Sequence, residues 1–239
     1  GTVLWKKPIE QWSTNLWLLK TGPTSLTRRL VADGERIFVT MGVTAPVSML
    51  DAANGAELNV FPETKGAEEL LYSDGVLYAL VNPAAEWVLK DFAPQQQSDQ
   101  KRVSDEYEWD QKPRVLMAVD PDKGTILWKL EGLVAPLTPS VDGKRFVYYD
   151  GEKIHCLDAK SGTELWAGQE APRRELYEYN FGPRLLFSGE TVLFAGGDGT
   201  MRGLDAATGK LLWESPHEKS GYRSPEDLIV SGGLVWNAG

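Results

Sequence analysis

Charged residues recur at one register of the chain, where short predicted strands begin. Each lies five or six residues before a glycine that forms a tight turn. These residues are Arg28, Arg29, Glu69, Arg184, Glu226 and Asp227. The planar guanidinium group of arginine suits carboxylate and phosphate groups. One hypothesis is therefore a site for a small anionic ligand or a sugar acid. The alternative is a set of structural ion pairs.

Predicted loops near this register supply further candidates for such a binding site. Arg173 and Arg223 add positive charge, and Trp12 or Trp17 could stack on a sugar ring. His217 lies in a predicted loop and is the best-placed candidate for a general base. No positioned nucleophile accompanies it, so the sequence predicts no catalytic residue.

Other reactive groups have simpler interpretations. Cys156 is the only cysteine, which excludes an intrachain disulfide and a multi-cysteine metal site. It alternates with His155 in a predicted strand, where a buried apolar role is expected. The glycines of 196–199 resemble a phosphate loop, but no helix follows to supply the N–H groups that bind phosphate. The sequence therefore predicts no phosphate loop at these glycines. It also predicts no metal site.

A repeated motif organises the elements that would position these residues. It consists of an aspartate, a glycine four residues later and a tryptophan four residues after that. The aspartates are Asp51, Asp120, Asp158 and Asp205. The last three copies end in Trp128, Trp166 and Trp213, whereas the copy that starts at Asp51 has Asn59 at the tryptophan position. Trp5 ends a partial copy whose glycine is Gly1. The aspartate can accept backbone N–H bonds within a turn, and the glycine can adopt a positive φ. A period of about 40 residues is typical of propellers and solenoids.

These repeats resemble the tryptophan-docking motif of the PQQ-like β-propeller family, over essentially the whole chain. The resemblance implies an all-β propeller of four-stranded blades, with each docking tryptophan packed between neighbouring blades. Gly1–Arg29 and Val81–Met117 resemble an internal portion of large bacterial proteins of this family. In some of those proteins a methyltransferase-like domain precedes the propeller.

The repeats predict a single propeller domain over residues 1–239. Four complete blades are expected within 28–61, 68–130, 138–167 and 176–215. Gly1–Lys6 is expected to be the last strand of a preceding blade, and 224–236 the first two strands of a following one. An inserted loop is expected at about 82–113. The chain starts inside a repeat, so we expect a segment of a larger ring of seven or eight blades. A five-part ring is the alternative.

Composition limits the choice of partners. The net charge is −9 and the pI about 4.9, which argues against nucleic acid or an anionic membrane as the main partner. No apolar run has transmembrane length. The expected partners are the remaining blades of the parent protein and either a protein or a small ligand.

Three functions are consistent with the resemblance. The first is a non-catalytic binding or scaffold module of a larger extracytoplasmic, periplasmic protein. The second is a quinoprotein dehydrogenase domain, and PQQ with calcium is implied as cofactor only in that case. Relatives of that group use a vicinal disulfide or an equivalent stacking ring, and the single cysteine excludes the disulfide here. The third is a recognition domain attached to a methyltransferase-like enzyme.

Overall fold

The protein is all-β in the residues that the computed structural model describes. These are residues 1–9, 28–42, 44–84, 109, 111–173, 183–217 and 228–237. They contain strands and one short 3₁₀ turn at Pro62–Thr64. The strands form four four-stranded antiparallel sheets and one two-stranded sheet, each in sequential order. This confirms the predicted fold class of four-stranded blades, and the chain divides into two compact units.

The first unit contains blades 1 and 2. Blade 1 consists of β1 (Leu30–Asp33), β2 (Arg36–Thr40), β3 (Val47–Asp51) and β4 (Glu57–Phe61). Blade 2 consists of β5 (Ala67–Ser73), β6 (Val76–Val81), β7 (Arg114–Asp120) and β8 (Thr125–Gly132). The segment between β6 and β7 is the one that the repeat spacing predicts to be an insertion.

The second unit contains blades 3 and 4 and a strand pair. Blade 3 consists of β9 (Ser140–Val141), β10 (Arg145–Tyr149), β11 (Lys153–Asp158) and β12 (Glu164–Glu170). Blade 4 consists of β13 (Arg184–Ser188), β14 (Thr191–Ala195), β15 (Thr200–Asp205) and β16 (Leu211–Pro216). The pair consists of β17 (Leu228–Ser231) and β18 (Leu234–Asn237).

The turn between the third and fourth strands has the same geometry in all four blades. In blade 4, Asp205 Oδ1 accepts hydrogen bonds from the amides of Ala207 and Thr208, at 3.1 and 2.8 Å. The Gly209 amide donates to the Asp205 carbonyl at 2.8 Å, and Gly209 has a φ of 71°. Residues with a Cβ rarely adopt this φ, which explains the glycine. The aspartates are therefore turn formers, as the sequence predicts.

Each unit has its own hydrophobic core between its blades. In the first unit, Phe38 of blade 1 stacks on Tyr72 of blade 2 with ring centroids 5.1 Å apart. In the second, Tyr149 of blade 3 packs against Phe194 of blade 4 at 4.8 Å. Alternating side chains of β-strands point to opposite faces, so each sheet can contact a neighbour on either side. The packing therefore joins successive blades within a unit.

One predicted strand is wrong. Residues 1–9 have no strand assignment, although Gly1–Lys6 is predicted to form the last strand of a blade. A strand requires a hydrogen-bonded neighbour, and among the described residues none pairs with this segment. The segment is held instead through Trp5, whose indole N–H donates to the Ala52 carbonyl at 2.8 Å.

Candidate functional site

Two motif tryptophans pack on the turn of the following blade. Trp166 donates from Nε1 to the Ala206 carbonyl at 3.0 Å, and its side chain is 8 % exposed. Its ring lies against Gly209, where a β-carbon would come within 2.5 Å of the indole. Trp5 packs on Gly55 of blade 1 in the same way, with 2.7 Å between a built β-carbon and the ring. In both cases the turn glycine provides the space for an indole.

The other two motif tryptophans differ from each other. Trp128 is buried and lies 6.1 Å from the ring of Tyr78 in its own blade. Trp213 is 38 % exposed and lies over Gly203, the residue it pairs with in the sheet. A β-carbon at Gly203 would overlap the indole. The repeat therefore places four tryptophans at one register but in different environments.

Asn59 lies where its repeat position predicts a docking side chain. It faces Gly124, with 3.4 Å between Asn59 Nδ2 and a β-carbon built on that glycine. Gly124 is exposed, whereas Gly209 is buried under Trp166. Asn59 of blade 1 therefore contacts the turn of blade 2 as Trp166 contacts the turn of blade 4, but with a much smaller side chain.

A charged cluster occupies the loop-rich end of the first unit, which we define as the end where first and third strands begin. Arg28 donates to Glu69 Oε1 from Nε at 2.9 Å and from Nη2 at 2.5 Å. The Glu69 side chain is fully buried, and that of Arg28 is 46 % exposed. The Leu70 amide also donates to the Arg28 carbonyl at 2.6 Å. This part of the predicted site is an ion pair that joins blades 1 and 2.

Neighbouring residues extend this cluster. Arg114 Nε donates to Glu68 Oε2 at 2.8 Å, and Asn82 Nδ2 donates to Glu68 Oε1 at 2.7 Å. Burial lowers the pKa of the Arg29 guanidinium, and the negative charge of Glu68 opposes this shift. The charges of Arg28 and Arg29 are therefore balanced by Glu69 and Glu68, and Arg114 and Asn82 join the cluster.

The predicted arginines of the second unit make backbone contacts. Arg173 Nε donates to the Gly151 carbonyl at 2.8 Å, and Arg184 Nη1 lies 3.2 Å from the carbonyl of Pro183. The Tyr149 hydroxyl lies 2.8 Å from the carbonyls of Gly151 and Ala171. The bonds of Arg173 and Tyr149 fix the loop-rich end of blade 3, and that of Arg184 lies at the start of blade 4.

The remaining predicted site residues are buried or outside the described part. The His217 side chain is 2 % exposed, and its amide donates to the Gly199 carbonyl at 2.9 Å. Burial at this level makes it a poor general base for an external substrate. The residues that lie outside the described part are Trp12, Trp17, Arg223, Glu226 and Asp227.

Trp109 connects the end of the predicted insertion to the second unit. Its buried ring lies against Gly151, where a β-carbon would come within 2.9 Å of it. It belongs to the same core as Tyr149, Ile154 and Phe194. Near its C-terminal end, the segment expected to be an insertion is therefore packed into this core through Trp109.

The structure also shows two arginine–aromatic contacts that the sequence analysis missed. The Arg36 guanidinium lies 5.8 Å from the Tyr72 ring centroid and donates to Asp122 Oδ1 at 2.7 Å. In the second unit, Arg145 lies 5.5 Å from the Phe187 ring centroid and pairs with Glu190 at 2.9 Å. Both arginines open the second strand of a blade. Both aromatic residues lie next to last in the first strand of the following blade.

A histidine flanked by two carboxylates was also missed. His155 Nε2 lies 2.9 Å from Asp150 Oδ2, and Nδ1 lies 3.0 Å from Glu164 Oε2. Its ring stacks on Tyr148 with centroids 5.0 Å apart. The hydrogen bond to Asp150 raises the pKa of His155, burial lowers it, and the bond to Glu164 adds to the increase. The two nitrogens point in opposite directions, so these three groups cannot ligate one metal ion.

The described residues do not form a site for PQQ and calcium. Calcium prefers six to eight oxygen ligands. The carboxylates of Glu68 and Glu69 are engaged by arginines. Cys156 is fully buried, and burial raises the pKa of its thiol to about 12. In the part of the chain that the structure describes, no three His, Cys, Asp or Glu side chains group as metal ligands do.

Among the residues that the structure describes, no helix has the length and apolar character of a membrane span.

Comparison with known families gives one match that covers the second half of the chain. Residues 112–237 match the family described as outer membrane protein assembly factor BamB. The chain is also 25 % identical over 193 residues to quinohemoprotein alcohol dehydrogenase ADH IIB of Pseudomonas putida. That alignment covers 71 % of this chain and 24 % of the relative.

Solved structures support the propeller fold. BamB from Moraxella catarrhalis matches with a TM-score of 0.56 and 14 % identity, over 89 % of this chain and 55 % of that one. A europium-containing methanol dehydrogenase matches with a TM-score of 0.59 and 15 % identity, over 92 % and 46 %. Identities this low indicate the fold alone. The chain thus spans about a quarter to a half of the length of the proteins it matches.

Proposed function

Because the chain belongs to the PQQ-like β-propeller family described as outer membrane protein assembly factor BamB, we propose that it is a non-catalytic scaffold module of a larger extracytoplasmic protein. The observation that carries the proposal is how the polar groups of the repeat are used. In blade 4, for example, Asp205 Oδ1 is bonded to two backbone amides of its own turn. The aspartates of the repeat therefore stabilise the turns of the blades. We infer that the loops are the part that recognises a partner.

The loop-rich ends of the blades are the proposed recognition surface. Loops positioned by a rigid scaffold commonly carry binding residues. At this end of blade 3, Glu152 is exposed in a turn that Arg173 and Tyr149 hold through the Gly151 carbonyl. Such a turn is ordered before a partner binds, which lowers the entropy cost of binding. The proposed partner is a polypeptide, in keeping with the assembly role in the family description.

A charge-reversal experiment in the full parent protein tests this proposal. Glu152 and Lys160 lie at opposite ends of β11 and are both exposed. We expect Glu152→Lys to lower the amount of polypeptide that co-purifies with the parent at fixed stoichiometry. Lys160→Glu, the matched control at the Asp–Gly turn, should leave it unchanged. Equal losses in both variants, or none in either, would contradict recognition at the loop-rich end.

We also propose that a small anionic or carbohydrate ligand could bind at this end in the first unit. Arg28 supports this, because two of its nitrogens are anchored on Glu69 while nearly half of its side chain is exposed. An anchored guanidinium loses little entropy when it binds a carboxylate. Binding of such a ligand that is unchanged by Arg28→Ala would eliminate this part of the proposal.

A quinoprotein dehydrogenase domain is the second candidate, favoured by the similarity to the alcohol dehydrogenase of Pseudomonas putida. If the parent protein belongs to this class, PQQ would supply the redox chemistry. The described residues do not fit a calcium–PQQ cage, so other residues of the parent would have to hold it. Titration of the parent with PQQ and Ca²⁺ distinguishes the candidates. Stoichiometric binding with a bound-quinone absorbance would favour the dehydrogenase.

A further inference from the structure

The docked tryptophans define a recurring socket on the turn between the third and fourth strands. Its two parts are the carbonyl of the residue after the aspartate and the open face of the glycine. Trp166 fills one socket by donating to Ala206 and lying on Gly209. Trp5 fills another by donating to Ala52 and lying on Gly55. The chain itself thus shows twice that this turn binds an indole.

The turn of blade 2 has the same backbone geometry. Asp120 Oδ1 accepts the amides of Asp122 and Lys123 at 3.1 Å each. The Gly124 amide donates to the Asp120 carbonyl at 2.8 Å, and Gly124 has a φ of 68°. The carbonyl that corresponds to those of Ala52 and Ala206 is that of Pro121. The socket is therefore formed by the backbone regardless of what faces it.

Among the described residues, the side chain that faces the socket is too small to fill it. Asn59 replaces tryptophan, and its amide oxygen accepts a hydrogen bond from the amide of Val60 at 2.9 Å. Its Nδ2 reaches only to 3.4 Å from a β-carbon built on Gly124, whereas the indoles overlap such a carbon at the filled sockets. Gly124 remains exposed as a result.

The nearby arginine does not take the place of the indole. Arg36 pairs with Asp122 at the edge of this turn. Arg145 begins the corresponding strand of blade 3 but pairs with Glu190 of the turn between the first two strands of blade 4, and Trp166 docks on the turn at Gly209. An arginine at this position of the sequence is therefore compatible with a bound indole when its side chain pairs outside the socket turn.

We propose that the turn at 120–124, together with Asn59, is a binding site for a tryptophan side chain of a partner polypeptide. An indole provides a flat ring for the open face of Gly124 and one N–H for the Pro121 carbonyl. Phenylalanine has no such donor, so the site should prefer tryptophan. The inference does not rest on recognition at the loop-rich end, because the socket lies at the opposite end of β7.

The test uses N-acetyl-tryptophanamide as the probe and ¹⁵N-labelled chain, followed by amide chemical shifts. We expect saturable shifts centred on Gly124 and Asn59, with the filled sockets at Gly55 and Gly209 unaffected. N-acetyl-phenylalaninamide should bind at least about tenfold more weakly, the ratio expected for about 1.4 kcal/mol of lost hydrogen bonding. Absence of shifts near Gly124 up to the solubility limit of the probe would overturn the proposal, as would equal shifts at all three glycines.

Two variants of Asn59 test whether the small side chain at this position leaves the socket open. Asn59→Trp should fill the socket from within the chain, abolish the shifts at Gly124 and raise the Tm. Asn59→Ala should keep the binding, because it leaves the turn intact and the socket open. Retained binding in a folded Asn59→Trp variant would contradict the proposal. If that variant does not fold, the selectivity among glycines in the unmodified chain still decides the question.

Discussion

Replacing Trp166 by alanine removes one of the side chains that join blade 3 to blade 4. A tryptophan side chain buries about 150–250 Å², which corresponds to about 4–6 kcal/mol at about 25 cal/mol per Å². Trp166 is 8 % exposed, so nearly all of this area is lost. Relaxation around the cavity lowers the cost, and measured Trp→Ala changes in cores are about 3–5 kcal/mol. We expect the free energy of unfolding to fall by that amount.

Urea unfolding followed by far-UV circular dichroism measures this change without relying on tryptophan emission. The slope against urea should stay constant while the midpoint falls. Trp166→Phe keeps most of the apolar area but leaves the Ala206 carbonyl without the indole N–H, so it should cost about 1–3 kcal/mol. Trp213→Ala serves as the matched control, and should cost less than Trp166→Ala because Trp213 is 38 % exposed.

A loss below about 1 kcal/mol for Trp166→Ala would refute the reasoning, because it would mean that the indole contributes little to the contact between the blades. Equal losses for Trp166→Ala and Trp213→Ala would also refute it. In that case the burial of the side chain on the next turn would not determine its contribution to stability.

Three further changes probe other contacts. Gly209→Ala should cost at least about 1–2 kcal/mol by urea unfolding, because φ is positive there and a β-carbon would collide with Trp166; a neutral result would contradict the socket geometry. Arg28→Ala should cost about 3 kcal/mol, more than Glu69→Ala, since it removes an ion-pair partner from a fully buried carboxylate; the reverse order in the same assay would contradict the ion pair. His155→Gln should remove a stabilisation that is complete below a pH of about 6.5 and is lost as pH rises through the raised pKa of His155. Unfolding free energies of both proteins from pH 5 to about 9 should therefore converge at the alkaline end.

The strands and turns were predictable because their signals are local. The turn at Asp205–Gly209 requires an acceptor side chain and a positive φ, and both requirements are visible in five residues. The strand predicted at Gly1–Lys6 was wrong for the opposite reason. Strand formation depends on a pairing partner, and the motif residues carry no information about whether one is present.

The contacts between blades were harder to predict because their partners are distant in sequence. Arg36 and Tyr72 are 36 residues apart, and their contact follows only when blades 1 and 2 are stacked. The sequence did contain a signal for these arginine contacts, because both Arg36 and Arg145 lie two residues after the glycine of the first turn of a blade. The His155 cluster was missed because Glu164 joins it only through the pairing of β11 with β12.

The arginines of the predicted site illustrate a further limit of composition. The sequence places Arg28 and Glu69 at one register and leaves an anion site and structural ion pairs open, whereas the structure shows that these two side chains pair with each other. Whether a charge recognises a ligand or a neighbouring blade depends on which partner lies within hydrogen-bond distance. Spacing along the chain does not contain that information.

Photo-crosslinking in the living source organism tests the scaffold proposal most directly. A photoreactive amino acid replaces either Glu152, at the loop-rich end of blade 3, or Lys160, at the opposite end of β11. We expect a discrete crosslinked polypeptide from position 152 and none from position 160. Crosslinks from position 160 alone, or a parent protein that crosslinks at neither position but oxidises substrate in the presence of PQQ and Ca²⁺, would contradict it.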